Sequence, residues 1–237
     1  MAREQGLLSN EHFTVDGTLI ETGAGQNSLK VRPPKDTLPP PADGDAGNPR
    51  VDFRGERRTN DTHASTTDPD ARLYRKAEGQ EAILGFLGHV LMENRHGWMV
   101  QTRLTQATGT AEREAALEMV EAKRKRKRGR VTLGGDKNYD THEHVAALRE
   151  LKVPRHVTQN TGGRGGSAID GRTTWHQGYT ASQTKRKRVE EIFGWFKTVA
   201  LLRQTRFRGL ERVGWIFTWP AAACNLVLMR NLIGATT

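Results

Sequence analysis

Three acidic residues stand where a folded chain holds side chains rigidly: Asp16, Asp136 and Glu190. Asp16 lies in the stretch 12–20, where Phe13 and Val15 alternate with Thr14 and Asp16, the period-two pattern of a strand. Asp136 closes the short apolar run 131–135, at which point a side chain emerges at a sheet edge. Glu190 lies in a helical pattern predicted over 184–202. Carboxylates on strand ends and helix faces suit hard cations such as Mg²⁺, which prefer oxygen ligands. Two such ions about 3.5–4 Å apart clamp the attacking and leaving oxygens of a phosphoryl transfer. Taken singly, each acid has an ordinary alternative, because an isolated aspartate at a strand end commonly forms a turn or caps a helix.

The helix narrows the choice. At about 100° per residue, with Arg186 set to zero, Glu190 falls near 40° and Lys197 near 20°. Val189, Ile192, Phe193, Phe196, Val199 and Ala200 occupy the neighbouring arc, so Arg186, Glu190 and Lys197 run along one edge of the buried face. Glu191 falls well away from it. The alternative for this stripe is a surface ion-pair ladder, since Arg186 and Glu190 stand at i,i+4.

Elements must position these groups. After the first strand, residues 21–71 are rich in Gly, Pro, Asp and Thr and bury too little apolar surface to offset the entropy of ordering; we read 22–70 as a flexible, disordered insertion. Strands are predicted at 73–75, 83–92 and 98–104, the last two joined as a hairpin by residues 94–97. A helix follows over 111–123, with Glu112 and Glu114 in its first turn, where the helix dipole favours acids. Then come the strand 131–135, a turn at 137–140, a helix over 141–152 and a strand over 155–159. A glycine-rich loop spans 160–179. The apolar tail 213–233 reads as a buried helix. Its 17 uncharged residues at 213–229 approach the length of a membrane span, but Pro220, Asn225 and the charge of the chain favour burial. There are no internal repeats. Three early strands followed by alternating helices and strands give an α/β layer with a mixed sheet.

Composition limits the function. The chain has 237 residues, 37 Lys+Arg against 27 Asp+Glu, and a formal charge of +10, which points to a polyanionic partner, nucleic acid first. Apolar residues make up 35%, enough for one core with solvated segments around it. A single cysteine, Cys224, excludes a disulfide framework and a cysteine-based zinc site. No signal-peptide apolar segment occurs in residues 1–26. His142-Glu143-His144 lacks the i,i+4 spacing of a zinc helix. The basic run 123–128 reads either as a phosphate-binding patch or as a solvated helix end. Lys185, Arg186, Lys187 and Arg188 adjoin Glu190 and read as a DNA contact.

Residues 12–21 (HFTVDGTLIE), 62–76 (THASTTDPDARLYRK), 136–140 (DKNYD), 168–173 (AIDGRT) and 185–197 (KRKRVEEIFGWFK) together resemble bacterial insertion-sequence transposases of the DDE type, the groups known as insertion-sequence families four and five. Those families carry a Tyr-x2-Arg-x3-Glu-x6-Lys signature around the third acid. Arg186, Glu190 and Lys197 keep its spacing, and Gln183 stands where the tyrosine would be. The resemblance implies a ribonuclease H-like (retroviral-integrase-like) mixed sheet flanked by helices, with the whole chain, 1–237, as the catalytic domain. It implies that Asp16, Asp136 and Glu190 are catalytic and bind two Mg²⁺ ions, with Mn²⁺ as a substitute. It implies that Lys185, Arg186, Arg188 and Lys197 contact DNA. The implied activity is metal-dependent cleavage at the element end, followed by strand transfer into target DNA.

The implied partners are double-stranded DNA and further copies of the chain in a homo-oligomer, with no membrane, in the bacterial cytoplasm at the nucleoid. Family members carry a helical region before the first catalytic strand, whereas here only 15 residues precede Asp16. A truncated element copy is therefore one expectation. The competing readings are a catalytically inactive, basic DNA-binding remnant of the same fold, and a nuclease without strand transfer.

Overall fold

The computed structural model describes residues 2, 4–32, 51–53, 55–76, 79–125, 129–162 and 166–234. In chain order its strands and helices are β1 (His12–Thr22), β2 (Leu29–Val31), β3 (Val51–Phe53), β4 (Glu56–Arg58), β5 (His63–Ser65), β6 (Arg72–Tyr74), β7 (Ile83–Glu93), β8 (Met99–Gln106), α1 (Ala111–Lys125), β9 (Thr132–Gly135), α2 (His142–Glu150), β10 (Arg155–Val157), α3 (Gly171–Thr174), α4 (Gln177–Arg186), α5 (Arg188–Thr198), β11 (Gln204–Thr205) and α6 (Leu210–Gly234).

β1 is the axis of the main sheet. It runs antiparallel to β7 from Phe13↔Glu93 to Glu21↔Gly85 and parallel to β9 from His12↔Thr132 to Thr14↔Gly134. β10 extends the sheet beyond β9, β6 and β8 share the far edge of β7, and β11 pairs with the end of β1. This is a mixed α/β sheet, antiparallel on one side and parallel on the other.

Alternation along β1 divides the core into two layers. Phe13 and Val15 face α1 and α2 and pack with Ala115, Met119, Leu133 and Leu148. Ile20 faces the opposite side, where Val90 and Met92 of β7 meet Val189, Ile192, Phe193 and Phe196 of α5 and Phe217 of α6. Asp16, an even-numbered position, therefore emerges on the face that carries α4, α5 and α6. Phe217 fills the notch above Gly88, where an added Cβ would come within 2.6 Å of its ring.

Three differences from the sequence expectations have clear physical causes. Within the segment read as an insertion, β2 pairs with β5 and β3 with β4 as two small two-stranded sheets, while residues 33–50 lie outside the described residues. Leu29 of β2 is buried in an apolar cluster with Leu73, Phe86 and Val213, and Ser28 Oγ meets Ser65 Oγ at 2.8 Å. A single buried leucine among polar residues leaves little hydrophobic pattern in the sequence. The helix expected at 184–202 is two helices, α4 and α5, which meet at Lys187; α4 begins within the stretch read as a loop. Lys187 keeps helical dihedrals, so the junction is a bend in an otherwise helical path.

The carboxy-terminal helix is the third difference. Only Val213, Phe217 and Ala221 of α6 are buried, spaced i, i+4, i+8, so one narrow stripe meets the sheet. Trp215 is 62% exposed, Trp219 61% and Leu226 68%. The expectation of a buried helix is corrected, because apolar residues all round a helix cannot be covered by a layer on one side. α6 is long and apolar enough to cross a membrane by length and composition alone.

Candidate active site

The parallel pairing of β1 with β9 ends at Thr14↔Gly134, and two residues further along each chain stand Asp16 and Asp136. Adjacent parallel strands thus deliver both carboxyls to one place. Asp136 also serves a local purpose: its Oδ1 accepts a hydrogen bond from the Asn138 backbone N–H at 2.8 Å and caps the 3-10 turn at 137–139. Asp16 accepts one from its neighbour, the Gly17 N–H, also at 2.8 Å. Burial raises the Asp16 carboxyl to about 6; Gly17 opposes this, Asp136 adds to it, and Arg186 and Lys76 lower it.

A residue to which the sequence gives no site role stands close by, on the α1 side of β1. Glu112, in the first turn of α1, lays its carboxyl over Gly17, so closely that a Cβ there would lie 2.7 Å from Oε1. A side chain at position 17 would displace the Glu112 carboxyl. Burial raises Glu112 to about 7, and Asp16 and Asp136 add to the effect. Glu112 reads in sequence as an ordinary dipole-favoured acid, and no local signal marks it out. The Tyr139 hydroxyl is buried with no hydrogen-bond partner. It sits in the field of the same three carboxyls, and burial first, then Glu112, Asp16 and Asp136, hold it protonated well above its ordinary range.

The basic side of the site is also assembled from distant segments. Arg186, at the end of α4, lies in reach of Asp16, and its Nε is buried without a hydrogen-bond partner. Lys76 reaches Asp16 and Glu112 from the segment after β6. Burial lowers the Lys197 ammonium, and Lys76 and Arg203 lower it further, so three cations crowd one side. Lys185 is exposed on α4. Arg188 donates from Nη1 to the Arg95 carbonyl at 2.8 Å, anchoring the start of α5 to the β7–β8 turn.

Glu190 is placed differently. It is exposed in the first turn of α5, one residue after the buried Val189, and it is not among the strongest charges acting on Asp16. Among the described residues no group of three or more His, Cys, Asp or Glu side chains is set to hold a metal ion. The structure brings Asp16 and Asp136 together, sets Glu112 on the α1 side of β1 within the field of both, and leaves Glu190 apart.

Gln183, at the tyrosine position of the signature, is used structurally. Thr158 Oγ1 donates to its Oε1 at 2.7 Å and its Nε2 donates to the His156 carbonyl, fastening α4 to β10. The basic run is largely spent on packing where it is described. Lys123 Nζ lies 4.7 Å above the Phe13 ring, Arg124 Nη1 donates to the Leu151 and Lys152 carbonyls, and Lys125 pairs with Glu121. Residues 126–128 lie outside the described residues.

The transposase DDE domain family matches residues 10–226, from the start of β1 into α6. The chain belongs to that family, as a DDE transposase of the insertion-sequence type with a ribonuclease H-like fold. No match was found among curated proteins or among solved structures. The family comprises DNA-cleaving phosphoryl-transfer enzymes that generally depend on divalent metals and work on DNA in oligomeric complexes.

Proposed function

We propose that this chain, read as one catalytic unit over 1–237 with 22–70 as an insertion, cleaves DNA at insertion-sequence ends and transfers the freed strand to target DNA. The observation that carries the reading is the pair Asp16 and Asp136, set side by side by parallel strands. Burial raises the proton affinity of Asp16 and of Glu112, and with Asp136 they offer the carboxylate oxygens that a hard divalent cation takes, so the donor chemistry fits the metal. Asp16 and Asp136 would hold it, and Glu112 would stand beside Asp16 as a further carboxyl. A divalent cation bound there supplies Lewis-acid polarisation of a phosphoryl oxygen. Arg186, its Nε unpartnered, would bind a phosphate of the bound strand and orient it toward Asp16. Lys76 and Lys197 would hold neighbouring phosphates, and Lys185 and Arg188 would extend that contact along α4 and α5. Glu190, on the α5 side of the Lys187 junction, would be the third acid of the set. We place the reaction in the bacterial cytoplasm, at the nucleoid, in a homo-oligomer that brings two element ends together.

The exposed position of Glu190 favours a second reading, a DNA-binding remnant of this fold that no longer turns over. Incubating wild type and Asp136→Ala with labelled element-end DNA and Mg²⁺ or Mn²⁺ separates the two. The proposal expects a metal-dependent nick in wild type and at least a hundredfold loss in the variant, roughly the effect of removing a group that stabilises the transition state. DNA binding without any metal-dependent product in wild type would establish the remnant instead. Equal cleavage by both proteins would remove Asp136 from the chemistry.

A further inference from the structure

A concave site lies on the face that carries the acids, toward the amino ends of β1, β9 and β10. It is a cavity of about 480 Å³ whose lining includes His12, Arg130, Arg155, His156, Arg172 and His176. The His156 ring stands 6.2 Å from each of the rings of His12 and His176 and 5.9 Å from that of Tyr179. The acids nearby are few: Glu11 on the rim, and Asp170, which already accepts two hydrogen bonds from Arg172.

Two buried nitrogens in this wall have no hydrogen-bond partner, Nε of Arg155 and Nδ1 of His156, and His156 is only 7% exposed. Buried polar groups are ordinarily satisfied, so an orphaned guanidinium nitrogen and an orphaned imidazole nitrogen at one cavity call for an outside partner. The charges there also repel one another. Burial, then Arg149, lowers the Arg155 guanidinium; Asp170 opposes this and Arg172 adds to it. Burial lowers His156 to about 4, with His12, His176 and Arg130 contributing.

We infer that this cavity binds a phosphate of the DNA backbone, held by Arg155, Arg172 and the His12–His156–His176 array. The inference rests on the reading of the chain as a DNA-acting enzyme. Register supports it: His12 pairs with Thr132, and both Thr14 and His156 pair with Gly134, so His12, His156 and Asp16 point to the same face. His12 and Asp16 are four residues apart, roughly 13 Å along the strand. That is about four base steps at 3.4 Å of rise, so a duplex with one phosphate at Asp16 and Asp136 reaches the cavity a few nucleotides away.

The test is anisotropy of a fluorescent 30-bp duplex against salt concentration, without divalent metal. Wild type is compared with Arg155→Gln/Arg172→Gln and with Arg172→Gln/His176→Asn, the asparagine keeping an acceptor for the Gly178 N–H at the start of α4. The second variant changes only exposed positions, so it reports even if Arg155→Gln fails to fold. Lys30→Gln/Arg57→Gln, on the small sheets, controls for loss of general charge. Each pocket variant should bind roughly tenfold more weakly near 0.1 M salt, with a log–log slope shallower by about 1–2. A pocket variant whose affinity and slope match wild type, or fall no further than the control, overturns the assignment. Calorimetry with inorganic phosphate distinguishes the source of the anion. Phosphate binding lost in the pocket variants, with duplex binding unchanged, would make this a small-anion site and overturn the DNA assignment. Wild type that binds no duplex at all would defeat the underlying DNA reading, and this proposal with it.

Discussion

Glu112 concentrates the electrostatic tension of the site. Its carboxyl rests on Gly17 beside Asp16, is raised to about 7 by burial and its acidic neighbours, and has an ordinary value of 4.5. Stability from the protonated form is therefore fully present below pH 4.5 and is lost as pH rises through 7. Glu112→Gln mimics the protonated carboxyl, so at pH 8 it should stabilise the fold by roughly 1–3 kcal/mol, and the gain should vanish near pH 4. Denaturant titrations of both proteins at the two pH values check this; a variant that is less stable at pH 8 would show that the carboxylate is not strained. Mg²⁺ should raise the melting temperature of wild type at pH 8 by binding the folded state, and should raise that of Glu112→Gln less. Equal shifts in a thermal melt would place Glu112 outside the cation's surroundings. Asp136 could be found from its strand-ending position, and it does form the local turn that such a position suggests. Glu112 could not, because a first-turn glutamate is common and only the folded chain brings α1 across β1.

At the scale of elements, contacts from remote segments fix the helices that frame the site. The Asp68 Oδ1 accepts from the Gly209 N–H at 3.2 Å and Asp70 Oδ2 from the Leu210 N–H at 2.9 Å, so two acids after β5 satisfy the start of α6. Further along α6, the Asn225 amide both accepts from the Met99 N–H at 3.0 Å and donates to the Met99 carbonyl at 2.8 Å. It pairs the backbone of β8 as a neighbouring strand would. Asn225→Ala should cost about 1–3 kcal/mol by leaving both backbone groups without their partner. Hydrogen exchange should show the Met99 amide losing protection while the centre of β7 keeps it; unchanged protection at Met99 would mean that the clamp contributes nothing. Gly88→Ala should cost a similar amount, about 1–3 kcal/mol, by pushing a methyl into the Phe217 ring. A variant as stable as wild type in urea would show that α6 shifts freely. In sequence, Asn225 argues only against a membrane span, whereas in the fold it is the polar group that docks the helix.

Across the whole molecule, buried histidines and buried carboxyls oppose each other as pH changes. Burial lowers His89 to about 3 and His144 and His156 to about 4, from an ordinary 6.5. Below pH 6.5 the unfolded chain takes up protons at these sites that the folded chain refuses, so they reduce stability as pH falls toward 4. Asp16 and Glu112 act in the other direction, since the folded chain protonates them first, between about pH 7 and 4. The two acids therefore offset part of the loss that the three histidines impose. Glu112→Gln removes one compensating group and should lose stability more steeply between pH 7 and 5. Parallel curves for the two proteins in chemical denaturation would contradict these assignments.

Much was already written in the linear chain. The alternation of Phe13, Thr14, Val15 and Asp16 specifies a strand and the face of its acid, and the hairpin, α1 and α2 follow equally local patterns. The positive charge and the spacing of Arg186, Glu190 and Lys197 carry the family. These features were legible because periodicity and motif spacing are properties of neighbouring residues. Only the tertiary structure set Glu112 over Gly17, bent the helical path at Lys187 away from a single helix, exposed most of α6, and gathered Arg155, His156 and Arg172 around one cavity. Each of these depends on which segments pack across the sheet. Packing is decided by the volume and polarity of side chains far apart in sequence, so the chain read alone leaves it open.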